Sequence, residues 1–290
     1  MGHLVTSAIS ISFDGIAFAM ILFIISVGLS ITMGLMGFAN LAHGTFAMLG
    51  GYIGIEFTNH MGIPFLPGVV LVFLVVAAIS VPFEKYLYAR FYAAGELEQV
   101  LLTIGLVFMS IAICTFFWGP ENVQFHLPDY LQGQVDLGFR RFPVYRTFII
   151  AVSVAIIIGL WYGLERTRIG AQIRAAVDNR RMAQSVGINV DRLFTLTFAL
   201  GSGLAAVGGA LGTDVLGLTP TYALDYLVYF LVVVSVGGMG SIRGAFVASL
   251  VIGILDTAGK YYLPHFGAFF VFAITIVALL WRPAGLFGKS

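Results

Sequence analysis

Six arginines crowd into residues 165–192, ERTRIGAQIRAAVDNRRMAQSVGINVDR: Arg166, Arg168, Arg174, Arg180, Arg181 and Arg192, against Glu165, Asp178 and Asp191. Guanidinium groups interleaved with Ile173, Ala176, Val177 and Gln184 suit a short amphipathic helix with a cationic face. Such a face binds rather than reacts, and the segment reads as a docking surface for another chain. A solvated basic loop that fixes topology or touches anionic lipid is the plainer alternative. Topology alone needs only about two or three cations beside a span.

Two glycine-rich segments hold the remaining polar groups of interest. In GLMGFANLAHGTFAMLGGYIG (34–54), Asn40, His43 and Gly44 interrupt an apolar run. Polar groups at that depth must find partners or face a water-filled path. They read either as part of a translocation route or as a tight turn, with Asn40 capping the next helix and His43 bonded to a carbonyl. In VGGMGSIRGAFVASLVIG (236–253), Gly237, Gly238, Gly240 and Ser241 echo the first segment, Met36-Gly37 against Met239-Gly240 and Gly44-Thr45-Phe46 against Gly244-Ala245-Phe246. The echo suggests an internal repeat of the kind found in transporters. Glu56, Asp214, Asp225 and Asp256 fall near helix ends, where they line a cationic or zwitterionic path or are ordinary interfacial acids.

Enzymatic and metal chemistry lack their residues. Cys114 is the single cysteine, so an intramolecular disulfide or a CxxC site is excluded. No second His or carboxylate lies near His43 in sequence, so no metal site is expected. No GxxxxGK[ST] phosphate loop, HExxH or GxSxG occurs, and no channel-filter motif. No catalytic residue, no resident cofactor and no nucleic-acid partner is expected.

The elements that must position these residues are membrane spans. The 290 residues are 59% hydrophobic and 10% charged, where soluble domains carry roughly 25% charge. Apolar runs long enough to cross a bilayer fall near 16–36, 41–58, 66–83, 99–118, 145–164, 193–212, 225–239, 243–259 and 265–281. The expected fold is an all-α polytopic membrane domain over 1–290, with about eight to nine spans; 41–58 and 225–239 are candidates for broken or re-entrant pieces. Residues 1–15 carry no Lys or Arg, unlike the n-region of a cleaved signal peptide. Placing 84–98, 165–192 and the carboxyl terminus in the cytoplasm puts Lys85, Arg90, the six arginines, Arg243, Arg282 and Lys289 inside. Arg140, Arg141, Arg146 and Lys260 then lie outside, so cations favour amino terminus out and carboxyl terminus in. The outer loop, 119–146, has room for a small cap or docking surface.

At these residues the chain resembles a LivH-type permease, one of two membrane subunits of high-affinity branched-chain amino-acid ABC importers. The resemblance is carried by GLMGFANLAHGTFAMLGGY (34–52), the stretch from LERTRIG through GLAAVGGAL (164–211), VGGMGSIRGAFVASLVIG and RPAGLFG (282–288). It implies a bacterial inner-membrane complex with a LivM-like second permease, LivG-like and LivF-like ATPases that bind ATP and magnesium, and a periplasmic solute-binding protein. Segment 165–192 would then be the coupling segment, with Arg166, Arg168, Gly170, Arg174, Ala175, Asp178, Arg181, Gly187 and Asn189 meeting an ATPase. At the variable position of the GSIxG turn, where family members carry Pro or another residue, this chain has Arg243. The implied cargo is a branched-chain or other hydrophobic amino acid; relatives with similar motifs move urea, short amides or aromatic acids. A stand-alone secondary transporter or channel is the reading from another class.

Overall fold

The computed structural model describes residues 2–38, 40–123, 126–136, 141–264 and 267–288. It is nearly all helix. Helices α1 (Gly2–Met36), α2 (His43–Ile55), α3 (Phe65–Tyr86), α4 (Glu96–Trp118) and α5 (Val144–Arg166) precede two short ones, α6 (Arg168–Asp178) and α7 (Arg180–Ser185). Then come α8 (Val190–Leu216), the single turn α9 (Tyr222–Asp225), α10 (Leu227–Gly237), α11 (Ile242–Tyr262) and α12 (Gly267–Trp281).

Among the described residues six helices are long and apolar enough to cross a membrane: α1, within which Ser7–Met36 qualifies, α3, α4, α5, α8 and α11. The other three expected spans are shorter. α2 has 13 residues and is prolonged by a π-helical turn, Glu56–His60. The expected 225–239 piece is broken in two, as α9 and α10, and α12 has 15 residues. α1 begins at Gly2 rather than near 16. The polar residues Ser7, Ser10 and Asp14 lower the hydropathy of its first turns without interrupting helical backbone bonding.

Lipid tails are as apolar as leucine, so close packing rather than water exclusion holds such helices together. α1 and α8 therefore form the centre through small residues. A Cβ on Gly28 would overlap the backbone of Gly201, and one on Gly209 would overlap Ala47 of α2. Every residue from Ala17 to Ser30 is buried. α3 and α11 flank this pair. α3, α4, α5 and α12 turn large apolar side chains outward, among them Leu74, Phe108, Ile158 and Ile276.

Alternation of the helices gives the bundle two ends. One gathers 37–38, 40–42, 87–95, 167–189, 238–241 and 282–288. The other gathers 61–64, 119–123, 126–136, 141–143, 217–221 and 263–264. Thirteen cations are described, and Lys85, Arg90, Arg166, Arg168, Arg174, Arg180, Arg181, Arg192, Arg243 and Arg282 all lie at the first end; only Arg141, Arg146 and Lys260 lie at the second. Arg140 and Lys289 are outside the described residues. At the second end, strands β1 (Gln134–Asp136) and β2 (Arg141–Pro143) form a small antiparallel hairpin that the all-helical expectation did not include. Asn122 fixes this loop by accepting from the Leu218 N–H at 2.9 Å, and Arg146 pairs with Asp14 of α1.

Candidate functional site

The arginine segment folds as two short helices joined by side-chain caps. Thr167 Oγ1 accepts from the Gly170 N–H at 3.1 Å, Asn179 Oδ1 from the Met182 N–H at 3.0 Å, and Asn189 Oδ1 from the Arg192 N–H at 3.0 Å. Each oxygen satisfies an amide that a helix start would leave bare. Gly170 lies against the last turn of α5, where a Cβ would overlap Leu164, and Arg174 donates to the Leu164 carbonyl. The corner between α5 and α6 is thus sharp and fixed. Gly187 turns the chain with φ of +84° before α8.

Ala176 and Ala183 are buried with Leu35, Val190, Leu193 and Phe194 in a small apolar cluster of their own, flanked by Ile173 and Ile188. The opposite face is open to solvent: Arg166, Arg168, Arg174, Ala175, Asp178 and Arg181 are exposed, as are Ile169, Met182 and Val186. A cationic surface studded with exposed apolar side chains is what a protein interface requires, since neither chemistry alone gives both steering and desolvation. Arg243, the unusual residue of the GSIR turn, reaches Glu165 at 3.7 Å and ties the second glycine-rich turn to the base of this segment.

Asn40 is 3% exposed and sits in the break between α1 and α2. Its Oδ1 accepts from the Ala42 N–H and from the Tyr88 hydroxyl, both at 3.1 Å, while its Nδ2 has no partner. His43 opens α2, 1% exposed, and its Nε2 meets the Ile25 carbonyl of α1 at 3.0 Å. Gly44 faces Ala223 and Phe230. The hydrogen bonds display a turn with His43 bonded to a carbonyl, but Asn40 does not cap α2: its oxygen accepts from the Ala42 N–H before the helix, and Ala42 is the N-cap with no side-chain cap.

Around the break lies an aromatic layer. Phe38 meets Tyr88 and Tyr92 edge-on at 5.3 and 5.9 Å, and Tyr92 meets Phe194 of α8 at 5.3 Å. The Tyr92 hydroxyl donates to Glu84 at 2.7 Å, and Thr195 Oγ1 donates to the other Glu84 oxygen at 2.7 Å. Burial and the neighbouring Glu84 carboxylate hold the Tyr92 phenol above its ordinary pKa. Glu84, Tyr88, Tyr92 and Thr195 are residues that sequence reasoning passed over. The signal was an acid ending an apolar span, with tyrosines four and eight residues later.

The second turn has another construction. Gly238 and Gly240 adopt φ of +94° and +78°, a region open to glycine at little cost. The Gly240 N–H donates to the Ser30 carbonyl at 2.9 Å, and Ser241 Oγ caps α11 by accepting from Gly244 N–H at 3.0 Å. The chain end closes over it: Leu286 N–H donates to Val236 O at 2.7 Å and Phe287 N–H to Gly237 O at 3.2 Å. Gly237 crosses Gly244 backbone to backbone.

The four acids have local partners or neighbours. Glu56 pairs with His60 at 2.9 Å, Asp225 accepts from Thr221 at 2.9 Å, and Asp256 binds Lys260 at 2.7 Å and Tyr229 at 3.0 Å. Asp214 lies near Arg146 and Tyr145. Among the described residues no group of three or more His, Cys, Asp or Glu could hold a metal ion.

Against known proteins, residues 11–279 match the family described as branched-chain amino acid transport system, permease component. The permease protein LivH of the high-affinity branched-chain amino acid transport system of Escherichia coli K12 is 27% identical over 293 residues, spanning 96% of this chain and 94% of that protein. The corresponding permease protein BraD of Pseudomonas aeruginosa is 26% identical over 282 residues, 92% of this chain and 91% of that one. A solved chain of PsaBC from Streptococcus pneumoniae, in complex with Fab, is similar with a TM-score of 0.51 and 12% identity, covering 94% of this chain and 92% of that chain. That last likeness shows the fold alone.

Proposed function

The chain belongs to the branched-chain amino acid transport permease family, and from that premise we propose that it forms half of the membrane passage of an ABC importer for branched-chain or other hydrophobic amino acids. It is a multi-pass membrane protein and a transport subunit. A LivM-like chain supplies the other half of the passage. LivG-like and LivF-like ATPases dock at the arginine-rich end, and a periplasmic binding protein delivers the solute at the other. The complex sits in the bacterial inner membrane, with the cation-rich end in the cytoplasm.

The observation that carries this reading is the α6–α7 elbow. It is fixed to α5 and α8 on one side, and on the other presents Arg168, Arg174 and Arg181 beside Ile169 and Met182. A partner that changes shape on nucleotide binding can push such an elbow, because a ligand shifts an equilibrium only by its preference between states. Asn40, His43, Gly44, Gly237 and Gly238 are buried in this state. With Gly240 and Ser241 they serve the route as the hinge of its inner mouth. The test is reconstitution of the full complex with Arg174→Glu and Arg181→Glu. Uptake falls at least about tenfold while ATP is still hydrolysed, since charge reversal at an interface costs several kcal/mol; unchanged coupling of hydrolysis to uptake overturns the docking role.

A further inference from the structure

Beside the elbow lies a cleft of about 680 Å³ at the same end of the bundle, lined by the end of α3, the 87–95 bend and the start of α8. Its lining includes Lys85, Arg180, Arg192 and Asp191, together with Glu84. Glu84 is 3% exposed and is held by two hydroxyls alone; it makes no ion pair with any described residue. Arg180, at the first position of α7, lies over the Phe194 ring at 4.7 Å and reaches the exposed Asp191 at 3.7 Å. A buried carboxylate therefore faces an open cleft whose cations are engaged elsewhere or not at all.

That arrangement is unbalanced. An exposed pair such as Arg180–Asp191 holds weakly, whereas a desolvated carboxylate gains much from a cation brought beside it. The same carboxylate is tied through Tyr92 to Phe38, and through Phe38 to Tyr88 and Asn40 at the α1–α2 break. We infer that Glu84 is a positioning residue for coupling: when the elbow is pressed inward, Arg180 leaves Asp191 for Glu84, the cleft closes, and the Tyr92–Phe38–Tyr88 layer carries the displacement to the break at Asn40. This rests on the ATPase-docking reading above and adds a second, buried point of transmission to it.

The experiment uses the complete complex in liposomes with its external binding protein and radiolabelled leucine as the probe, and measures ATP hydrolysed per leucine taken up. Glu84→Gln and Arg180→Gln each raise that ratio at least about fivefold, the lower end of ordinary coupling energies. The double variant is no worse than either single one, because both remove the same contact. A merely structural role lowers hydrolysis and uptake together through lost assembly and leaves the ratio where it was, which overturns the inference, as does an additive double variant. Should Glu84→Gln fail to assemble, Tyr92→Phe decides: it keeps the ring and deletes only one of the two hydroxyls that hold Glu84, the one that ties it to the aromatic layer, and an unchanged ratio overturns the proposal. A wild-type complex that takes up leucine without hydrolysing ATP overturns the docking reading itself, a result distinguishable from failure of Glu84 alone.

Discussion

At 40–43 the chain turns around side chains: Asn40 gathers the Ala42 amide and the Tyr88 hydroxyl, and His43 pins α2 to the Ile25 carbonyl. At 237–244 it turns around backbone: Gly240 donates to Ser30, and the carbonyls of Val236 and Gly237 receive the amides of Leu286 and Phe287. The two strings look alike, and they lie against each other, Gly34 on Gly240. Their mechanics differ. A turn held by side chains can change partners by rotating torsions, while one held by crossed backbones moves only as a block. The first is suited to respond to the elbow through Tyr88 and Tyr92, and the second to serve as the fixed point against which it moves.

Four substitutions, with Tyr88→Phe as a partial rescue, separate the two constructions. The largest effect belongs to Gly238→Ala, where positive φ combines with overlap onto Gly288 N at 2.5 Å; the expected loss is about 3 kcal/mol or more, read as a collapse of detergent-extracted folded protein. Its control is Gly37→Ala, at φ of +61° but with nothing within 4 Å, for which only the conformational cost of about 1 kcal/mol remains. Equal losses at the two positions would erase the distinction. Next comes Asn40→Ala, which strands the buried Tyr88 hydroxyl and the Ala42 amide and costs about 2 kcal/mol, measured as lowered thermal stability of the purified chain; Tyr88→Phe in the same background restores part of it. Smallest is Arg243→Gln. Its pair with Glu165 is exposed on both sides, so stability changes by less than about 0.5 kcal/mol, and a larger drop would show that the second turn and the elbow are mechanically joined.

The long spans were legible because apolar runs and their breaks are printed in composition: α3, α5, α8 and α11 begin and end within a few residues of expectation. The elbow was legible for the same reason, as charge stands out against oil. Lengths of the shorter helices were not, since an apolar run ending in glycines, such as 225–239, does not say where a helix loses its regularity; here α9 and α10 meet at Tyr226, which still bonds to Tyr222 and Phe230. The 134–143 hairpin is short and its strands of three residues carry no alternation long enough to read. Glu84 was hidden for a different reason. One acid at a span end resembles any interfacial charge, and only the fold brings Thr195 to it across 111 positions.

The enclosure of α1 bears on how the molecule is made. Its stretch from Ala17 to Ser30 is wholly buried in the finished bundle, yet its neighbours α8 and α11 begin only at Val190 and Ile242. During synthesis this helix must wait in the bilayer with its flanks bare, Ser26 among them, which has no hydrogen-bond partner even at the end. An 18-residue stretch within it, with a mean hydropathy of 2.5, lets it wait; the grooves at Gly15 and Gly28, filled by Ile254 and Gly201, then admit latecomers. The first helix to be made is thus one of the two at the centre of the bundle, and the helices that bury it come later in the chain.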